Sequence, residues 1–114
     1  EVQAFDQESA QPPQWTQVRQ GSAEQLDRFS RYTLLLCWPP LGARFALDCL
    51  RAYSGALVIY VGEWRGRTAD AEFHDELERS WVREETWSIL QWPGFQDQVY
   101  LYRRRASSSS GACP

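Results

Sequence analysis

The chain has 114 residues, 43% of them hydrophobic, with 12 basic and 15 acidic side chains and a net charge of −3. That length fits one domain with a moderate core, and the apolar fraction excludes a disordered chain. The charge supplies no global basic field to recruit nucleic acid, and no run of about 18 apolar residues offers a membrane span. No secretory signal peptide is recognisable.

Three further compositional features bear on class. Six tryptophans point to a well-filled core or an aromatic-lined cleft. There is no Met, Lys or Asn, and a chain starting at Glu1 reads as a processed product, a trimmed piece or part of a longer protein. Cys37, Cys49 and Cys113 are odd in number and form no Cys-x-x-Cys, which argues against a zinc site or a disulfide framework. Buried free thiols at Cys37 and Cys49 favour a reducing, intracellular compartment, the cytoplasm.

In chain order, Val2-Gln-Ala-Phe-Asp6 alternates weakly and reads as a short strand. Gln7 to Gln14 is polar, is broken by Pro12-Pro13, and reads as a loop or one helical turn. Trp15 to Arg19 suits another short strand, followed by a brief helix over Gly21 to Leu26 with Ser22 as its N-cap. Thr33 to Trp38 is the central strand. Its unbroken apolar run suits a parallel strand buried on both faces, and Pro39-Pro40 forces the chain out of the sheet. Ala43 to Tyr53 carries one apolar helical face, closed by Gly55 as C-cap.

Ala56-Leu-Val-Ile-Tyr-Val61 is a second buried strand, and Gly62 to Gly66 is the loop at its carboxyl end. Thr68 is the expected N-cap of a helix running to about Val82, with Phe73, Leu77 and Trp81 on its inner face and His74 solvated among acids. Thr86 to Leu90 and Gln98 to Tyr102 alternate around a Trp92-Pro-Gly-Phe95 turn, as a terminal antiparallel pair does. Arg103-Arg104-Arg105 and Ser107 to Ser110 read as a disordered tail. The domain boundary is set at 1–105, with 106–114 beyond it. Two strand-helix-strand steps and a closing hairpin define an α/β domain. The central expectation is that Leu34 to Cys37 and Leu57 to Val61 lie side by side and run the same way, with ligands bound at their carboxyl ends.

This arrangement resembles about the last two-thirds of a Rossmann-like, S-adenosylmethionine-dependent methyltransferase sheet, mostly parallel with an antiparallel C-terminal hairpin. Val2-Gln-Ala-Phe-Asp6 looks like that family's second strand, whose terminal acid holds the cofactor ribose. A carboxylate suits a diol because it accepts two hydrogen bonds. Val18-Arg-Gln-Gly-Ser-Ala-Glu24 is similar to the third strand and the turn that meets the adenine. Cys37-Trp-Pro-Pro40 stands where the amino-methylating branch places Asp/Asn-Pro-Pro-aromatic. Leu-Leu-Leu-Cys-Trp-Pro-Pro, Tyr53-Ser-Gly55, Tyr60-Val-Gly-Glu63 and Gln91-Trp-Pro-Gly94 together resemble an uncharacterised group assigned to this fold.

Two departures qualify the likeness. The first strand and its Gly-x-Gly turn would fall roughly 20 to 40 residues before Glu1, so the sheet is expected to lack its first strand and leave two edges unpaired. The chain is then a fragment, or another segment or a protein partner completes the sheet. Second, Trp38 replaces Asp or Asn. Indole donates one hydrogen bond and accepts none, so it cannot orient an amine, although it can wall a pocket for an aromatic or cationic group.

The resemblance therefore implies S-adenosylmethionine as cofactor, with Asp6, Ala23, Glu24, Trp38 and Pro39 as its candidate contacts. Trp38, Pro40, Glu63 and Trp64 are the candidate substrate pocket, for an unknown substrate. Glu63 follows the second buried strand and either binds or deprotonates a substrate, or pairs with Arg65 or Arg67. Asp6 is otherwise a solvated strand-end acid, and Trp38-Pro39-Pro40 otherwise a structural corner. The alternative to a methyltransferase is a non-catalytic scaffold or partner-binding module that keeps the fold.

Overall fold

In the computed structural model, which describes residues 2–6, 18–42, 44–91 and 93–106, the two apolar ribbons are adjacent strands running in the same direction. Strand β3 (Leu34–Cys37) pairs with β4 (Leu57–Gly62) in the register Leu34↔Val58 to Cys37↔Val61. Before them, β1 (Ala4–Asp6) and β2 (Val18–Gln20) form a separate parallel pair, followed by a 3₁₀ helix (Ala23–Phe29) with Ser22 at its N-cap. The Ser22 N–H donates to Gln25 Oε1 at 2.9 Å. Helix α1 (Phe45–Ala52) links β3 to β4, and α2 (Ala71–Ser80) links β4 to β5 (Trp81–Ser88). Strand β6 (Gln98–Arg104) inserts antiparallel between β4 and β5, so the sheet order is β3-β4-β6-β5. The architecture is mixed α/β, with three strands of this sheet pointing one way and β6 reversed. The predicted strand over Trp15 to Arg19 is paired from Val18 to Gln20, and residues 15–17 lie outside the described residues.

Both crossovers step in the same direction across the sheet. Right-handed connections of that kind put both helices on one face. Accordingly α1 touches α2, and Leu34, Leu36, Val58, Tyr60, Tyr100 and Tyr102 are buried with Leu47, Leu50, Phe73 and Leu77. Leu47, Phe73 and Leu77 are each 0% exposed, and burial of each stabilises by about 1.5–3 kcal/mol. The opposite face is not covered by described residues. Leu35 is 58% and Trp87 45% exposed, and Cys37 is exposed too. This corrects the expectation that β3 is buried on both faces and that Cys37 is a buried thiol. Of the two described cysteines Cys49 is the buried one, and burial, with Asp48 nearby, pushes its pKa up to about 12.

The structure corrects several local expectations. Helix α1 is capped by Tyr53 in extended geometry, not by a left-handed Gly55. Gly55 is needed for space, since a Cβ there would lie 2.6 Å from the Ser30 carbonyl oxygen. Asp70, not Thr68, caps α2, its carboxylate accepting the Phe73 N–H at 2.9 Å. Trp81 keeps the inward direction of the 73, 77, 81 series, and its N–H still bonds to Leu77 O, but its backbone is extended and it opens β5.

Strand β5 therefore starts well before the expected Thr86. Arg103 and Arg104 belong to β6 rather than to a tail. Arg104 donates to Tyr53 O at 2.7 Å and Gly55 O at 2.9 Å, and lies 4.4 Å over the Trp81 ring, which in turn stacks on Tyr53. Ser107 to Ser110 and Trp92 lie outside the described residues, while Gly94 makes its turn with φ of 87°. His74 is 2% exposed rather than solvated, because the inward face of α2 includes it beside Phe73 and Leu77. No helix among the described residues is long and apolar enough to cross a membrane.

Candidate functional site

The carboxyl end of β3 is pinned. The Trp38 N–H donates to Val61 O at 2.8 Å, which extends the β3–β4 ladder by one bond. The chain then bends at Trp38, whose φ of 46° is the left-handed region that a bulky side chain rarely occupies. Pro39 O accepts the Ala69 N–H at 2.8 Å, and Pro40 bridges to Thr68. The rigid Pro-Pro corner is thus stitched to the loop that follows β4.

That loop is cross-braced. The Tyr60 hydroxyl donates to Glu63 O at 3.1 Å and meets the Thr68 hydroxyl, whose oxygen accepts the Glu63 N–H at 3.1 Å. Burial pushes the Tyr60 pKa up to about 12, so it stays a hydroxyl. Glu63 Oε1 accepts the Arg67 N–H at 2.8 Å and Oε2 accepts the Gln96 N–H at 2.7 Å. These bonds, led by that from Gln96, hold the Glu63 carboxyl below its usual pKa although the residue is only 5% exposed. Gly62 permits this packing, since a Cβ there would sit 2.4 Å from Thr68 Oγ1.

His74 Nε2 lies 3.2 Å from Thr68 O and 3.3 Å from the Arg65 N, while Nδ1 is buried with no partner. One tautomer cannot serve both contacts, since Nε2 either donates or accepts. Burial, more than any charge nearby, lowers its pKa.

A cleft of about 1250 Å³ opens on the other side of the corner, between β1 and β3. Val2 to Phe5 form one wall and Arg31 to Pro40 the other, with Ala23, Leu26 and Phe29 of the 3₁₀ helix and Phe45 and Cys49 of α1 closing it. Trp38, Pro39, Pro40 and Ala23 line this cleft together, and Trp38 is 54% exposed.

The other expected site residues lie elsewhere. Glu24 is exposed and meets the Ser22 hydroxyl at 3.1 Å. Asp6 ends β1 opposite Gln20, but its side chain lies outside the described residues. Glu63 and Trp64 do not line the cleft. Trp64 turns onto the helix-covered face, 4.6 Å from the His74 ring, with Arg83 4.7 Å over it.

Sequence reasoning missed Phe29 and Tyr32 in the lining, since nothing in a polar stretch such as Asp27-Arg28-Phe29-Ser30 marks an inward ring. It also missed the Phe5–Phe29 contact at 5.5 Å, which ties β1 to the 3₁₀ helix.

Among the described lining residues there is no carboxylate and no histidine, and Arg31 is the one charged side chain. The site can bind apolar groups, stack on Trp38 and offer strand backbone, and besides Arg31 the ionisable groups among its described lining residues are the thiols of Cys37 and Cys49 and the hydroxyls of Tyr32 and Tyr53. Fold and cleft together define a mixed α/β domain with an apolar binding groove at one sheet edge. Neither a family model, nor a curated protein, nor a solved structure matches the chain.

Proposed function

We propose that this chain is part of an S-adenosylmethionine-dependent methyltransferase-like domain, inactive by itself, whose glycine-rich cofactor loop comes from outside these 114 residues. The strand pattern carries the reading. A parallel pair, β1 and β2, stands beside a sheet ordered β3-β4-β6-β5 in which β6 alone is reversed. The fold that the sequence resembles has that arrangement with one strand more, between its second and fourth, and a reversed seventh strand. The chain contains no Gly-x-Gly.

The lining fits such a cofactor in part. Trp38 and Pro39 offer an apolar wall beside Ala23, and Asp6 stands at a strand end, where a carboxylate can accept from a ribose diol. When bound, the cofactor would supply an activated methyl group. This chain's residues would then have to position the acceptor, with Trp38 as a stacking wall, and exclude water. The scaffold alternative draws its support from Glu63, whose two carboxylate oxygens are engaged by backbone N–H groups, which suits a structural brace better than a catalytic base.

Calorimetric titration with S-adenosylmethionine tests the reading. The 114-residue chain alone is expected to give no binding, and the product of the complete reading frame to bind. In that longer protein Asp6→Ala should weaken binding by more than about 1 kcal/mol, the scale of a lost charge-assisted hydrogen bond. Unchanged affinity removes Asp6 from the site. A complete protein that neither binds the cofactor nor encodes a Gly-x-Gly strand is a scaffold. Micromolar binding by the chain alone overturns the need for an outside loop.

A further inference from the structure

We propose that the cup between the β1–β2 pair and the 3₁₀ helix is a binding site for a small phosphomonoester, whose dianionic head Arg19 and Arg28 hold. The site goes beyond the cofactor reading and does not rest on it. Asp6, Ala23, Glu24, Trp38 and Pro39 are not among the residues lining the cup, and S-adenosylmethionine carries no phosphate.

The cup has a volume of about 450 Å³, within the range of about 300–1,000 Å³ of small-molecule sites. It adjoins the apolar cleft and shares Gln3, Phe5, Gln25 and Phe29 with it, whereas Arg19 and Arg28 line the cup alone. No carboxylate is among its described lining residues.

The two arginines flank one aromatic pair. The guanidinium carbon of Arg19 lies 5.0 Å from the Phe5 ring centre and that of Arg28 lies 5.9 Å from the Phe29 ring centre. The two rings are themselves 5.5 Å apart. A ring attracts a guanidinium without consuming its N–H groups, so the donor forks are kept for something else. Arg44, Arg65, Arg67, Arg79 and Arg103 are paired with acids, but among the described residues no ion pair engages Arg19 or Arg28. Arg19 donates one N–H to Gln3 Oε1. Glu24, an acid of the same helix, is turned to the Ser22 hydroxyl at 3.1 Å, and Asp27 does not line the cup either.

Gln25 adds a further donor. Its Oε1 accepts the Ser22 N–H at 2.9 Å, so its amide N–H groups are what it offers the cup. Two positive charges, an amide donor and no negative charge call for an acceptor-only group of about −2, and a phosphomonoester carries about −1.5 to −2 at neutral pH. Its three terminal oxygens serve two forks and an amide at once, whereas one arginine is enough to satisfy a carboxylate. The volume exceeds what a phosphate group fills, and the Phe5–Phe29 wall suits a flat apolar body beside it.

An NMR titration of the 114-residue chain with phenyl phosphate tests the proposal, read on the Gln25 side-chain amide and the Arg28 Nε–H. Saturable shifts of both are expected, with a Kd of about 1 mM or tighter. Benzoate, with the same ring and one charge, should bind at least about tenfold more weakly. Arg19→Gln and Arg28→Gln replace exposed side chains and spare the fold, and each should weaken phenyl phosphate binding by at least about tenfold. Arg51→Gln, at an exposed position of α1 outside the cup, should leave binding unchanged. The proposal is overturned if no saturable shift arises below about 10 mM ligand. It is also overturned if Arg51→Gln weakens binding as much as Arg28→Gln, which means a diffuse field, or if benzoate binds as well. Sulfate binding as tightly as phenyl phosphate makes the contact an adventitious ion only and overturns it too. None of these readouts involves S-adenosylmethionine, so this proposal and the cofactor reading fail separately.

Discussion

Thr68→Val isolates the brace behind the Pro-Pro corner. The substitution keeps the branched shape and removes the hydroxyl alone. In the folded chain that hydroxyl accepts the Glu63 N–H at 3.1 Å and meets Tyr60, while Tyr60 keeps its own donor bond to Glu63 O at 3.1 Å. The change therefore removes a net hydrogen bond, worth about 1 kcal/mol, and orphans one N–H in a region where Thr68 is 8% and Glu63 5% exposed. A buried unpaired N–H costs about 1–3 kcal/mol, so the total is about 2–4 kcal/mol.

Urea unfolding followed by tryptophan fluorescence measures it. With a slope of about 1.5 kcal/mol per molar, the midpoint falls by about 1.3–2.7 M at unchanged slope. Tyr60→Phe should cost less, and the double variant should show a coupling of about 1 kcal/mol, as contacting residues do. A loss below about 0.5 kcal/mol for Thr68→Val would refute the brace and reduce Thr68 to a surface turn residue.

Two further outcomes follow from the same region. Asp70→Ala removes the helix cap at α2 and should cost about 1 kcal/mol, less than Thr68→Val; the reverse ranking in the same urea assay would reinstate Thr68 as the cap. The folded-state pKa of His74 lies below that of an unfolded histidine, so below about pH 6.5 the unfolded chain binds the extra proton more readily. The His74 contribution to stability is thus whole above that pH and is lost as pH falls toward the folded pKa; unfolding at pH 7 and 5.5 should show the drop, and His74→Gln should flatten it.

The parallel ribbons were legible because four or more apolar residues closed by Pro-Pro or Gly leave few alternatives, and β3 and β4 pair as expected. What an apolar run does not tell is how many of its faces are covered, and by what. Both crossovers step the same way, so their helices share a face and leave Leu35 and Cys37 outside. His74 was misread for a related reason. Its acidic neighbours Glu72 and Asp75 announce water, but a position next to Phe73 on a helix packed against a sheet is turned inward by geometry, not by polarity. Arg104 shows the reverse, a charge that stays ordered because two carbonyls and an indole face receive it.

Within the candidate site, the Trp38 corner was readable from Pro39-Pro40, whereas the fate of Glu63 was not. Its partner Gln96 stands 33 positions away, and no local pattern joins them.

The passage from α2 straight into β5 leaves the chain no slack. Ser80 is the last helical residue and Trp81 the first extended one, so the phase of the helix dictates which side of the sheet every later side chain takes. A single codon gained or lost at that seam would invert the rest of the strand, sending Trp81 toward solvent and its outward neighbours beneath the helices. Length variation among any natural cousins of this chain should therefore cluster in its turns and spare this seam.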